Sequence, residues 1–152
     1  SSVSSDYKKH RETMDNFERD EQMPFDCTYV LIIEDDLTTA NYINHAIKKA
    51  AIGPVRIKTI SSSEKASEYI FLLKQFKMPG PDVAIVDYFL SGTGDGLWIC
   101  DFLKKRFPET QVILTSSLNL ERISDKLFMS ETKPIFFQKP FEAKKLKNLL
   151  FS

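Results

Sequence analysis

The sequence predicts an α/β protein, a doubly wound parallel sheet of five strands with five helices. Three observations predict it. Short apolar runs alternate with segments of helical period along most of the chain, which is the pattern of repeated strand-helix units. Four of the five runs are apolar without interruption, as expected of strands covered by helices on both faces. Acids, hydroxyls and a lysine stand directly after the runs, and a parallel sheet gathers such positions along one edge.

The first run, residues 29–33, is followed by a segment over 38–50 in which Ala40, Ile43, Ile47 and Ala50 fall on one helical stripe. The second run, residues 55–60, reads Val-Arg-Ile-Lys-Thr-Ile, and its alternation marks an edge strand. Ser61-Ser-Ser-Glu64 has the capping-box pattern and opens a helix that continues through Ala66, Tyr69, Ile70 and Leu73. Runs over 83–86, 112–115 and 135–137 supply the remaining strands, and segments 96–107, 119–129 and 142–151 the remaining helices. Trp98, Phe102 and Phe107 recur at helical spacing and read as core.

Length and composition bound the rest. A chain of 152 residues, 42% hydrophobic and 28% charged, holds one soluble domain with one core. Residues 1–26 are polar and charge-dense, with Tyr7, Met14 and Phe17 as scattered apolar positions, and read as a tail, a linker or a loosely held helix. The folded unit is therefore expected over 27–152. Lys plus Arg and Asp plus Glu balance at 21 each, so no net field favours nucleic acid or a membrane surface. No apolar run approaches the about 20 residues of a membrane span, and no signal-peptide core opens the chain, which points to the cytoplasm. Cys27 and Cys100 are too few for a disulfide scaffold and read as buried free thiols. His10 and His45 have no spacing suited to a metal site or a triad.

At the ends of the runs stand Glu34-Asp35-Asp36, Asp87, Thr115-Ser116-Ser117 and Lys139-Pro140. Gathering several carboxylates costs Coulomb repulsion unless a cation offsets it, and Mg²⁺ is the hard ion that takes one or two carboxylates together with phosphate oxygens. A carboxylate nucleophile, a cation, a lysine and a hydroxyl are the parts that phosphoryl transfer requires.

These residues resemble the receiver family of response regulators over about residues 28–152, through VLIIEDD, DVAIVDYFL, ILTSS and FFQKPF. The resemblance implies a flavodoxin-like sheet with strand order 2-1-3-4-5. It makes Asp87 the phosphoacceptor, Asp35 a direct Mg²⁺ ligand, Glu34 a ligand through water, and Phe89 the donor of a backbone carbonyl to the metal. Lys139 takes the place of the lysine that contacts the phosphoryl group, before a proline whose peptide bond is cis in the family. Counting from Gln111 puts the switch hydroxyl at Ser116, with Thr115 as the alternative. The aromatic switch position falls on Phe136, which lacks a tyrosine hydroxyl, so any movement there is driven by packing.

Two segments depart from the family pattern. The loop Leu90-Ser-Gly-Thr-Gly-Asp-Gly96 is one residue longer than usual, and Met129-Ser-Glu-Thr-Lys-Pro134 lacks the usual Gly-Ala turn. The implied function is to accept a phosphoryl group from a histidine kinase or histidine phosphotransfer protein and to switch a surface that binds a downstream effector. A homodimer through the fourth helix, fifth strand and fifth helix is a further implied partner. The implied receiver assists its own phosphorylation and dephosphorylation and is not a multi-substrate enzyme. Two rivals are a pseudo-receiver, a module that keeps the fold without being phosphorylated, and a dehalogenase-type phosphatase. The second needs an acid two residues after the nucleophile, where Phe89 stands.

Overall fold

In a computed structural model the chain is described over residues 27–91 and 95–151. The polar segment 1–26 with His10, and residues 92–94 of the long loop, lie outside the described residues. Five strands and five helices alternate in the predicted order: β1 (Thr28–Ile33), α1 (Leu37–Ala50), β2 (Val55–Ile60), α2 (Ser63–Gln75), β3 (Val83–Asp87), α3 (Gly96–Arg106), β4 (Gln111–Ser116), α4 (Leu120–Met129), β5 (Ile135–Gln138) and α5 (Ala143–Phe151). All pairings are parallel and the strand order is β2-β1-β3-β4-β5.

Side-chain alternation divides the core into two layers. Val30, Ile32, Ile85 and Ile113 point to one face, where Ile43 and Ile47 of α1 and Leu146 of α5 cover them. Leu31, Ile33, Val86 and Leu114 point to the other, under Ile70 of α2, Leu103 of α3 and Ile123 of α4. Leu31, Ile32, Ile33, Ile113 and Leu114 are wholly buried, so truncating any one of them to Ala would cost about 2–5 kcal/mol.

The alternating strand β2 is an edge strand, as its pattern predicted. The uninterrupted run of β5 is also at an edge, and Ile135 is 40% exposed, so an apolar run alone did not imply cover on both faces. Each of the first four helices opens on a side-chain cap, from Asp36, Ser62, Asp95 and Asn119 to the amides of Thr39, Lys65, Trp98 and Arg122. The cap of α2 is thus Ser62 and not Ser61, which places Lys65 where a capping box needs Glu64. Trp98 is 46% exposed on α3 and is not core, while Phe102 and Phe107 are partly buried against it. Cys100 is buried as expected, but Cys27 is only half-buried at the start of β1.

Candidate functional site

The edge predicted to carry the chemistry is the edge where the acids meet. Where β1 ends, Glu34 turns inward and is 2% exposed, Asp35 stays in solvent, and Asp36 leaves the cluster to cap α1. Asp87, the last residue of β3, is 7% exposed. Carboxylate oxygens of Glu34, Asp35 and Asp87 lie within 4.8 Å of one another.

Lys139 closes the cluster from the far edge of the sheet. Its amide donates to the Ser116 carbonyl at 2.7 Å, and the Lys139-Pro140 peptide is cis, in agreement with the resemblance. Its ammonium lies 2.5 Å from Glu34 Oε1 and 3.2 Å from Asp87 Oδ1. One ammonium is therefore shared by two buried carboxylates. Burial pushes the Glu34 carboxyl up to about 7; Asp87 adds to the rise, and Lys139 opposes it. Burial alone would lower the Lys139 ammonium, but Glu34 and Asp87 outweigh it and hold the pKa above its ordinary value.

The two candidate hydroxyls lie on opposite faces of β4. Ser116 continues the Val112 and Leu114 face, the side of α4 and Phe136, and is wholly buried, with Oγ accepting from the Leu118 amide at 3.0 Å. Thr115 continues the Ile113 face, and its hydroxyl turns back to the Val86 carbonyl at 3.5 Å. Phe136 pairs with Leu114 across the β4-β5 ladder and is partly buried against the same layer as Ser116. Phe89 stands two residues beyond Asp87 with its ring 53% exposed and edge-on to Tyr88, whose centroid is 4.8 Å away.

Three further residues shape the site. A Cβ on Gly96 would come within 2.1 Å of the Asp87 carbonyl oxygen, so only glycine lets α3 begin against the backbone of Asp87. Lys126 of α4 reaches back over the Tyr88 ring at 5.9 Å, and the neighbouring Tyr88 side chain raises the ammonium pKa. Asp101 of α3 accepts from Ser130 Oγ at 3.3 Å, from the Thr132 amide at 3.2 Å and from the Thr132 hydroxyl. It anchors the α4-β5 connection, where Lys133 takes a positive φ of 48°. Sequence patterns gave no sign of the last two links, because each joins side chains of different elements.

The oxygens present suit a hard divalent cation: two buried carboxylates and one exposed carboxylate, all within reach of a single ion. The fold and the site thus define a doubly wound α/β protein with a lysine-bridged acidic pocket at the carboxyl edge of its sheet. A sequence model of the response regulator receiver domain matches residues 30–151, and the chain belongs to that family, the receiver domains of two-component signalling. No curated protein matches the chain significantly.

Solved structures agree on the fold. The BeF₃-activated receiver domain of DrrB is 22% identical, with a TM-score of 0.62 over 82% of this chain and 94% of that one. A receiver protein from Sinorhizobium medicae is 16% identical, with a TM-score of 0.65 over 81% and 90% of the two chains. A response regulator from Burkholderia pseudomallei, solved with a phosphorylated aspartic acid, calcium ion and citrate, is 13% identical, with a TM-score of 0.62 over 78% and 64%. Receivers typically bind Mg²⁺ at an acidic pocket and act through kinases and effectors. Among the described residues, no helix is long and apolar enough to cross a membrane.

Proposed function

We propose that the chain is a phosphorylation-competent receiver that takes a phosphoryl group from a phosphohistidine onto Asp87. The observation that carries this reading is the Lys139 ammonium, which lies within 3.2 Å of Asp87 and is also held by Glu34. A carboxylate oxygen of Asp87 bonds to phosphorus as the P–N bond of the donor breaks, and the imidazole leaves with the electron pair and takes up a proton. Lys139 neutralises charge on the transferred oxygens, and Ser116, on the α4 side of the sheet, donates a hydrogen bond to one of them. Asp35, Glu34, Asp87 and the Phe89 carbonyl are the groups that would hold Mg²⁺. Bound there, the ion offsets the carboxylate repulsion and the charge of the phosphoryl group. Drawing Ser116 toward the phosphoryl group empties space next to Phe136, and the face formed by α4, β5 and α5 then changes its partner preference.

The test is incubation of the full chain with acetyl phosphate, with and without Mg²⁺, followed by mass spectrometry. One phosphoryl increment that needs Mg²⁺ and is absent from Asp87→Asn is the expected result. Absence of the increment in the native chain, together with failure to take up beryllofluoride, would leave a pseudo-receiver. Steady turnover of a phosphate ester would instead identify a phosphatase.

A further inference from the structure

α3 packs closely against α2 but only loosely against α4, and the gap beside α4 is a groove of about 430 Å³. Two large apolar side chains line it from opposite helices: Trp98 of α3, 46% exposed, and Met129 at the end of α4, 81% exposed. Single exposed apolar residues need no account, but an indole and a thioether across one groove mark a binding surface. Among the described residues neither β5 nor α5 lines it, so it is distinct from the α4-β5-α5 face.

The rim of the groove is acidic. Asp95, Asp101 and Asp125 line it, and the one base among its described lining residues, Lys126, is drawn back over the Tyr88 ring at 5.9 Å. Asp95 accepts from the Trp98 amide at 3.0 Å and Asp101 from Ser130 and Thr132, whereas Asp125 has no partner among the described residues. The aromatic ladder of α3 shows which cation fits. Trp98, Phe102 and Arg106 stand four residues apart on one side of the helix; the two rings lie 5.4 Å apart, and the Arg106 guanidinium lies 3.5 Å from the Phe102 centroid. A guanidinium thus closes one end of the ladder. The other end is the exposed indole, the ring that attracts a cation most strongly.

We propose that this groove docks a basic amphipathic helix of a partner protein, with the helix's apolar stripe on Met129 and an arginine between the Trp98 indole and Asp125. A trough between two helices takes a third, whose anchors recur at i, i+3, i+4 and i+7. Met129 suits that role because an unbranched thioether adapts to an uneven partner face. The same acids repel phosphate, which disfavours nucleic acid and the anionic surface of a bilayer. The inference does not depend on phosphorylation of Asp87.

Trp98 is the only tryptophan of the chain, so its fluorescence reads the groove alone. The probe is a helical peptide of leucine and arginine, with leucines at i, i+3, i+4 and i+7, titrated into the full chain. Expected are a saturable blue shift of the Trp98 emission and protection of the indole from acrylamide. Asp125→Lys, at an exposed position, should weaken binding about fivefold, the scale of an exposed ion pair turned repulsive. Met129→Ser should also weaken it, through lost apolar burial, and exchange of the peptide's arginines for lysines should do so because an ammonium does not stack flat on an indole. Equal protection by spermine at matched charge would make the groove a site for free cations, and equal protection by the same peptide residues in a non-amphipathic order would reduce binding to charge; either outcome overturns the proposal. So does a Trp98 spectrum unmoved up to about 1 mM peptide, or binding that Asp125→Lys leaves unchanged.

Discussion

The ammonium of Lys139 lies 2.5 Å from Oε1 of Glu34, across 105 positions of sequence, and this contact joins the first and last strands' ends in one pocket. Removing the ammonium strands a carboxyl that is only 2% exposed. Lys139→Met should therefore lower stability by about 3 kcal/mol at pH 8, measured by urea unfolding. At pH 6, where Glu34 is protonated, the loss should shrink. An equal loss at both pH values would mean that packing of the lysine stem, not the ion pair, is what the substitution removes.

Glu34 also predicts how pH acts on the intact protein. Its carboxyl rises from an ordinary 4.5 to about 7 on folding, so the folded chain binds that proton more tightly than the unfolded chain does. On this account stability falls as pH rises from about 4.5 to about 7. A cation held by the same carboxylates must displace the proton, so apparent Mg²⁺ affinity should weaken up to about tenfold per pH unit below 7. Calorimetric titration at pH 6 and pH 8 measures it; equal affinities would remove Glu34 from the binding event.

Much of this pocket was legible because parallel topology converts local sequence into position: an acid after β1, an acid ending β3 and a lysine after β5 must share one edge. The central strands were legible because cover on both faces leaves their interior positions apolar and confines polar residues to their ends. Trp98 was misread since helical spacing shows which residues share a stripe and not which stripe meets the sheet. The exposure of Ile135 in β5 and the shift of the α2 cap to Ser62 depend on neighbours and backbone angles that no residue pattern states. The tie between Asp101 and Thr132 joins residues 31 positions apart, beyond any local signal.

The two hydroxyls of β4 should behave differently. Ser116 shares its face with Phe136, whereas Thr115 hydrogen-bonds back to Val86 on the other. Ser116→Ala should slow phosphoryl uptake from acetyl phosphate on the order of tenfold, the scale of one hydrogen bond to a charged group. Thr115→Val should change it less than about twofold, with a small loss of stability. A larger kinetic effect from Thr115→Val, read by the rate of mass increase, would move the switch to that residue.

Asp101 ties the end of α4 to the start of β5 through Ser130 and Thr132. Of the ten residues of α4 only Ile123 is buried, so packing holds the helix weakly and its position depends on such ties. One carboxylate accepting from two hydroxyls and an amide is charge-assisted, and Asp101→Ala should cost about 2 kcal/mol. The loss should be local. Amide exchange should rise across 120–138, where the partner face of the family is built, while exchange in β1 and β3 and Mg²⁺ affinity hold steady. If exchange rises equally in β1 and β3, Asp101 supports the whole core and not the connection alone, and α4 is not positioned independently of the rest.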